Sequence, residues 1–157
     1  MPMIEISQPE AKAAGTEVAN GTAKVKIGTS LYYLEGSGSS GLKLYFMQEE
    51  IASVKFTLEG TLAKVQEINT RAQYQRQGYG KLMAACFFGY CQAKGILSVR
   101  LGTTDTSGGF WSKFELSTAN SKTMTQLWIM LGPVLDIPQK PTVNQVIGFD
   151  RSKKSIF

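Results

Sequence analysis

The chain has no histidine and only two cysteines. The first absence removes Ser-His-Asp and Cys-His catalysis outright, because neither nucleophile would have its imidazole base. With no CxxC pair either, no metal site is expected. Proton transfer must fall to carboxylates, tyrosine, lysine, cysteine, a backbone group or water. Cys86 and Cys91 lie in one apolar segment that reads as helix. Five residues along a helix is about 140° around it, so their side chains diverge and no local disulfide is expected. No apolar run reaches the ~18 residues of a membrane-crossing helix. The opening Met1-Pro2-Met3-Ile4-Glu5-Ile6 lacks the basic and apolar stretches of a signal peptide. A cytoplasmic protein with no membrane contact is the expectation. Acidic residues are outnumbered 12 to 17, leaving a formal net charge of +5. Such an excess favours anionic ligands: a nucleotide-bearing cofactor, RNA or an acidic partner.

What remains is an ordinary globular composition, and 157 residues are enough for one domain, 1–157, with a sizeable core. Residues 4–6 read as a short strand. Ser7, Pro9 and Glu10 then have capping-box spacing, and helix-forming residues run to Asn20-Gly21. Residues 23–27 and 30–35 read as strands, separated from the middle of the chain by a Gly/Ser loop at 36–41. Three strand-like runs follow at 42–47, 51–58 and 62–70, with connections short enough to imply antiparallel neighbours. A polar, glycine-punctuated turn at 71–80 leads into a helix over 81–94, apolar on most of its surface and stopped by Gly95. Residues 96–101 form a further strand, and this strand-helix-strand order implies a parallel pair. Residues 110–116 read as a short helix, 127–131 as a strand, and 133–157 as a C-terminal extension.

The segment richest in chemistry is Gln75-Arg76-Gln77-Gly78-Tyr79-Gly80-Lys81, between a strand and a helix. A helix start leaves about four N–H groups without intrahelical partners, and the helix dipole adds positive potential. Together they attract an anion. Gly78 and Gly80 let backbone approach a phosphate closely, and Arg76 and Lys81 can add charge-assisted contacts. A dinucleotide fingerprint would need a third glycine where Met83 stands. A Walker A loop would need glycine at Gln75 and a hydroxyl at Leu82.

The spacing Gln75-x-x-Gly78-x-Gly80 resembles the Q/R-x-x-G-x-G/A signature of the GNAT superfamily of acyl-CoA-dependent N-acetyltransferases. The setting, three antiparallel strands before and a buried helix and strand after, is similar too. Phe110-Trp111-Ser112-Lys113-Phe114-Glu115-Leu116 resembles the F-Y-x-K-x-G-F segment that the family places after that strand. The resemblance covers residues 42–131. The family usually has two helices after its first strand; this chain reads as having one.

The resemblance implies an α+β fold of three layers, a mixed, mostly antiparallel twisted sheet flanked by helices. It implies acetyl-CoA (CoA) as cofactor and an amine as acceptor: a small amine, a protein N-terminus or lysine, or an aminoacyl-tRNA. It makes the strand over 62–70 splay from that over 96–101. Backbone amides near Ile68, Asn69 and Thr70 would then meet the pantetheine arm, one of them polarising the thioester carbonyl. That places Thr70 in the catalytic set. Amides of Gln75, Arg76, Gln77, Gly78, Tyr79, Gly80 and Lys81 would hold the pyrophosphate. Glu67 is the candidate general base, although strand alternation points it away from Ile68 and Thr70 unless a bulge intervenes; Asp105 is the second candidate. Trp111 stands where the family has the tyrosine that protonates the leaving thiolate, and indole has no titratable proton; it is expected to wall the cofactor tunnel. Glu115 stands where the family prefers glycine. Alternative readings are a non-catalytic acyl-CoA-binding module and an RNA-binding protein with Tyr74 and Tyr79 as stacking platforms. A monomer or homodimer is expected.

Overall fold

The first helix is fixed at its start by the expected capping box. In the computed structural model, which describes residues 3–27, 32–36, 40–75, 78–102, 110–131 and 134–138, the Ser7 Oγ accepts from the Glu10 N–H at 3.3 Å, and the Glu10 carboxylate accepts from the Ser7 N–H at 2.9 Å. Strand β1 (Met3–Ser7) thus turns directly into helix α1 (Gln8–Ala19). A single helix separates it from the meander β2 (Lys24–Lys26), β3 (Tyr32–Gly36), β4 (Gly41–Phe46), β5 (Glu49–Glu59) and β6 (Leu62–Thr70). Every neighbouring pair in this meander is antiparallel.

Helix α2 (Tyr79–Ala93) then carries the chain to β7 (Ser98–Leu101), which lies parallel to β6. A 3₁₀ turn over Trp111–Phe114 precedes β8 (Lys122–Thr123), helix α3 (Met124–Leu131) and β9 (Val134–Pro138). The main sheet runs β2-β3-β4-β5-β6-β7-β8, with β6-β7 its one parallel pair among the described residues. Strands β1 and β9 form a separate antiparallel ribbon. The fold is therefore the mixed, mostly antiparallel α+β architecture expected. The extension contributes β9; residues 139–157 lie outside the described residues.

One expectation fails. Residues 127–131, read as a strand, belong to α3. Five consecutive apolar residues do not distinguish strand from buried helix, and the deciding signal lies upstream. The Thr123 Oγ accepts from the Gln126 N–H at 3.2 Å, while the Gln126 Oε1 accepts from the Thr123 N–H at 2.9 Å. That is a second capping box, three residues apart like the first.

Helix α3 packs against α2, and α1 and α2 pack against each other and against the strands. Helix α2 is buried from Leu82 to Cys91 without interruption, which explains its near-continuous apolar sequence. Its crossing with α1 is close enough to require glycines. A Cβ at Gly15 would stand 2.6 Å from the Tyr90 N, and one at Gly89 would stand 2.5 Å from the Lys12 O. Strand residues facing the helices are buried; those on the outer face, such as Lys24, Lys55 and Thr57, are polar and exposed. Among the described residues, no helix is long and apolar enough to cross a membrane.

Candidate functional site

Strand β6 changes character half-way along. Its first part, Leu62 to Val65, pairs with β5 on one side and with β7 on the other, ending at Val65↔Leu101. The Gly102 N–H donates to the Val65 carbonyl at 2.8 Å, the last bond described between these two segments. Beyond Val65, β6 continues to Thr70 in register with β5. The residues that would carry β7 further, 103–109, lie outside the described residues, and with them the splay that the resemblance implies.

A β-bulge interrupts β6 just after Val65. Phe56 pairs with Val65 and Lys55 with Glu67, so Gln66 is the extra residue. Alternation resumes after it without interruption, Val54 against Ile68 and Ser53 against Asn69. Ile68 therefore faces the helices and is buried, whereas Glu67 and the exposed Asn69 face outward. Because the bulge precedes Glu67, it does not reverse the opposition between Glu67 and Ile68. Glu67 stands on the outer face, opposite Lys55, and partly buried.

At the end of β6 the chain is held in place before it enters α2. The Arg71 N–H donates to the Ile51 carbonyl at 3.0 Å, and a 3₁₀ turn follows over Ala72–Tyr74. The Gln75 amide reaches back to the Thr70 carbonyl, Nε2 to O 3.0 Å. Arg76 and Gln77 lie outside the described residues. Gly78 adopts a left-handed φ of 91° as the residue before α2, a conformation that glycine takes without the Cβ penalty. Among the described residues no side-chain cap bond is made at this helix start, and the first-turn N–H groups of Tyr79, Gly80 and Lys81 have no intrahelical partners. Lys81 is exposed beside them.

The side chain of Tyr79 points into the protein, where its hydroxyl lies 2.8 Å from that of Tyr32, both rings buried. Tyr74 meets Tyr79 edge-on at 6.4 Å. Burial pushes the Tyr79 hydroxyl well above the usual tyrosine range, reinforced by the hydrogen bond with Tyr32. Burial, then the hydrogen bond to Glu49, pushes Tyr74 up to about 12. Both stay neutral at physiological pH, and neither presents the exposed face that base stacking needs. Tyr79 anchors the cradle from below. The sequence motif identifies the residue and gives no sign of its partner on β3.

Phe110 closes the other side. A Cβ at Gly80 would stand 2.9 Å from the edge of the Phe110 ring, so any larger residue there must displace that ring. Trp111 follows with 0% exposure, its ring 4.9 Å from Phe110, 5.8 Å from Phe114 and 6.3 Å from Phe87. A ligand in the cradle meets Phe110 before Trp111. The Trp111 Nε1–H is buried without an acceptor, whereas the Trp128 Nε1–H donates to the Gln92 Oε1 at 2.7 Å. Leaving such a donor unpaired costs about 1–3 kcal/mol. Glu115 has φ 59°, which explains a preference for glycine at this place. Asp105 lies outside the described residues. Among the described residues no group of histidine, cysteine, aspartate or glutamate is placed to hold a metal.

The order of strands, the parallel β6-α2-β7 unit and the left-handed Gly78 before α2 now stand together. The architecture is GNAT-like. Two solved structures resemble it at low identity. One is Ard1 from Thermoplasma volcanium: 16% identity, TM-score 0.42, covering 72% of this chain and 80% of that one. The other is the putative N-acetyltransferase YhhK from E. coli, solved bound to coenzyme A: 14% identity, TM-score 0.37, covering 87% of this chain and 97% of that one. No protein-family profile and no curated protein matches the chain.

Proposed function

We propose that this chain binds acetyl-CoA and transfers its acetyl group to an amine. The observation that carries the reading is the start of α2, where a left-handed Gly78 follows β6 within the parallel β6-α2-β7 unit. In this reading the first-turn amides of α2, with Gln75, Arg76, Gln77 and Lys81, hold the pyrophosphate. The backbone of β6 from Ile68 to Thr70 receives the pantetheine arm as a further strand would be received, and the Thr70 amide polarises the acyl carbonyl. When bound, acetyl-CoA supplies the activated acyl group. Glu67, on the opposite face of the same strand, takes the proton that the amine must lose before it can attack. Trp111 supports Phe110 against Gly80 from behind.

The runner-up is a module that binds acyl-CoA without turnover, favoured by the burial of Trp111 where the family has an acidic hydroxyl. An amine panel incubated with protein and acetyl-CoA, read by mass spectrometry, separates the two. Acetylated product at a rate above the protein-free control supports the enzyme; coenzyme binding with no product on small amines, peptides or aminoacyl-tRNA contradicts it.

A further inference from the structure

The outer face of the sheet around the Gln66 bulge carries charges that the fold leaves uncompensated. Thr57, Lys64 and Arg100 stand side by side across β5, β6 and β7, and Lys55 and Glu67 face each other in the next row. Gln66 lies between the rows. Adjacent strands are about 4.8 Å apart, which puts Glu67 within reach of a small molecule that also touches β5 or β7. A cavity of about 180 Å³ opens on the β5 side of this patch, lined by Ser40, Gly41, Lys55, Phe56, Thr57 and Gln66, with Arg100 and Glu67 outside its lining. On the β7 side Gly102 leaves room for the bulge: a Cβ there would come within 3.4 Å of the Gln66 Cγ.

Lys64 is already engaged, its Nζ 3.0 Å from Glu59. Among the described residues, Lys55, Arg100 and Glu67 enter no ion pair. Arg100 is half-buried, and its Nε is buried without a hydrogen-bond partner. A guanidinium N–H withdrawn from water and left unpaired calls for an acceptor, and a carboxylate matches its geometry in a bidentate way.

We propose that the acceptor is a small amine that itself bears a carboxylate, an amino acid in the broad sense, bound on this outer face. Its carboxylate pairs with Arg100, with Lys55 as the second cation, and its ammonium faces Glu67. This rests on the acyl-transfer reading of the same site. The ammonium gives one proton to Glu67. The freed lone pair then forms the N–C bond as the C–S bond breaks, and the second proton leaves nitrogen for the departing sulfur through water.

The test uses the full chain and matched pairs of amines, each amino acid set against its decarboxylated counterpart, with product measured by mass spectrometry and CoA binding by melting temperature. We expect the carboxylate-bearing member to be favoured at least tenfold, mainly through KM. Arg100→Met should remove that preference while leaving the CoA-induced melting shift intact; Arg100→Lys should restore part of it, and Lys55→Met should weaken it less. Equal use of both members, or a preference that survives Arg100→Met, overturns the assignment while the acyl-transfer reading stands. Loss of the CoA shift and of all product in wild type would instead remove both.

Discussion

The two halves of β6 are one strand built to two specifications. Ala63 and Val65 are buried, with neighbours on both sides, and belong to the core. Past the bulge, the strand from Glu67 to Thr70 keeps its place on β5. The first half stabilises the sheet; in the proposed reading the second presents backbone groups and a carboxylate for use. The bulge at Gln66 marks the boundary between the two.

If the division is real, substitutions on either side of Gln66 should fail differently. The largest effect is predicted for Glu67→Gln, a loss of roughly 10²–10⁴ in transfer rate with CoA binding and melting temperature preserved. A variant that keeps most of its activity at neutral pH moves the base elsewhere, Asp105 first. Next comes deletion of Gln66. It leaves Val65 opposite Phe56 and Glu67 opposite Lys55, so each side chain keeps its face. The fold should survive, while straightening at the bulge should misplace the proposed acyl site and cost about a hundredfold in rate. Full activity in a folded deletion variant would show that the bulge is ornamental. Val65→Ala should do the reverse, costing about 2 kcal/mol of stability in a denaturant titration with KM values unchanged. Smallest is Glu115→Gly. Relief of a left-handed φ gains about 1 kcal/mol, offset by loss of the exposed 3.0 Å contact with Lys122, worth at most about 1. The net change should lie within ~1 kcal/mol of zero, and never strongly destabilising.

The sequence made one half of this contrast easier to read than the other. Alternation over Ala63-Lys64-Val65 identifies the strand and its core face. The bulge entered the sequence reading only as a condition on where Glu67 points, and the register alone places it at Gln66, ahead of Glu67. The glycine cradle was visible from spacing, because Gly78 and Gly80 answer local demands. Arg100 and Phe110 were not singled out for a site. Their roles depend on which strand and which helix start stand beside them, and those are matters of tertiary placement. The strand expected over 127–131 went wrong because its hydrophobic run was weighed and the Thr123-Gln126 capping pair was not.

The central proposal, that the second half of β6 and the start of α2 form a CoA site, is tested most directly by melting the protein with and without CoA, alongside Gly78→Asp. A ligand at 100 times its Kd adds ~2.7 kcal/mol, a rise of roughly 5–10 °C for a domain of this size. The account predicts that rise in wild type and none in Gly78→Asp, whose side chain and charge would occupy the pyrophosphate position. A wild-type protein with no shift in millimolar CoA, or a Gly78→Asp variant that shifts equally, would contradict it.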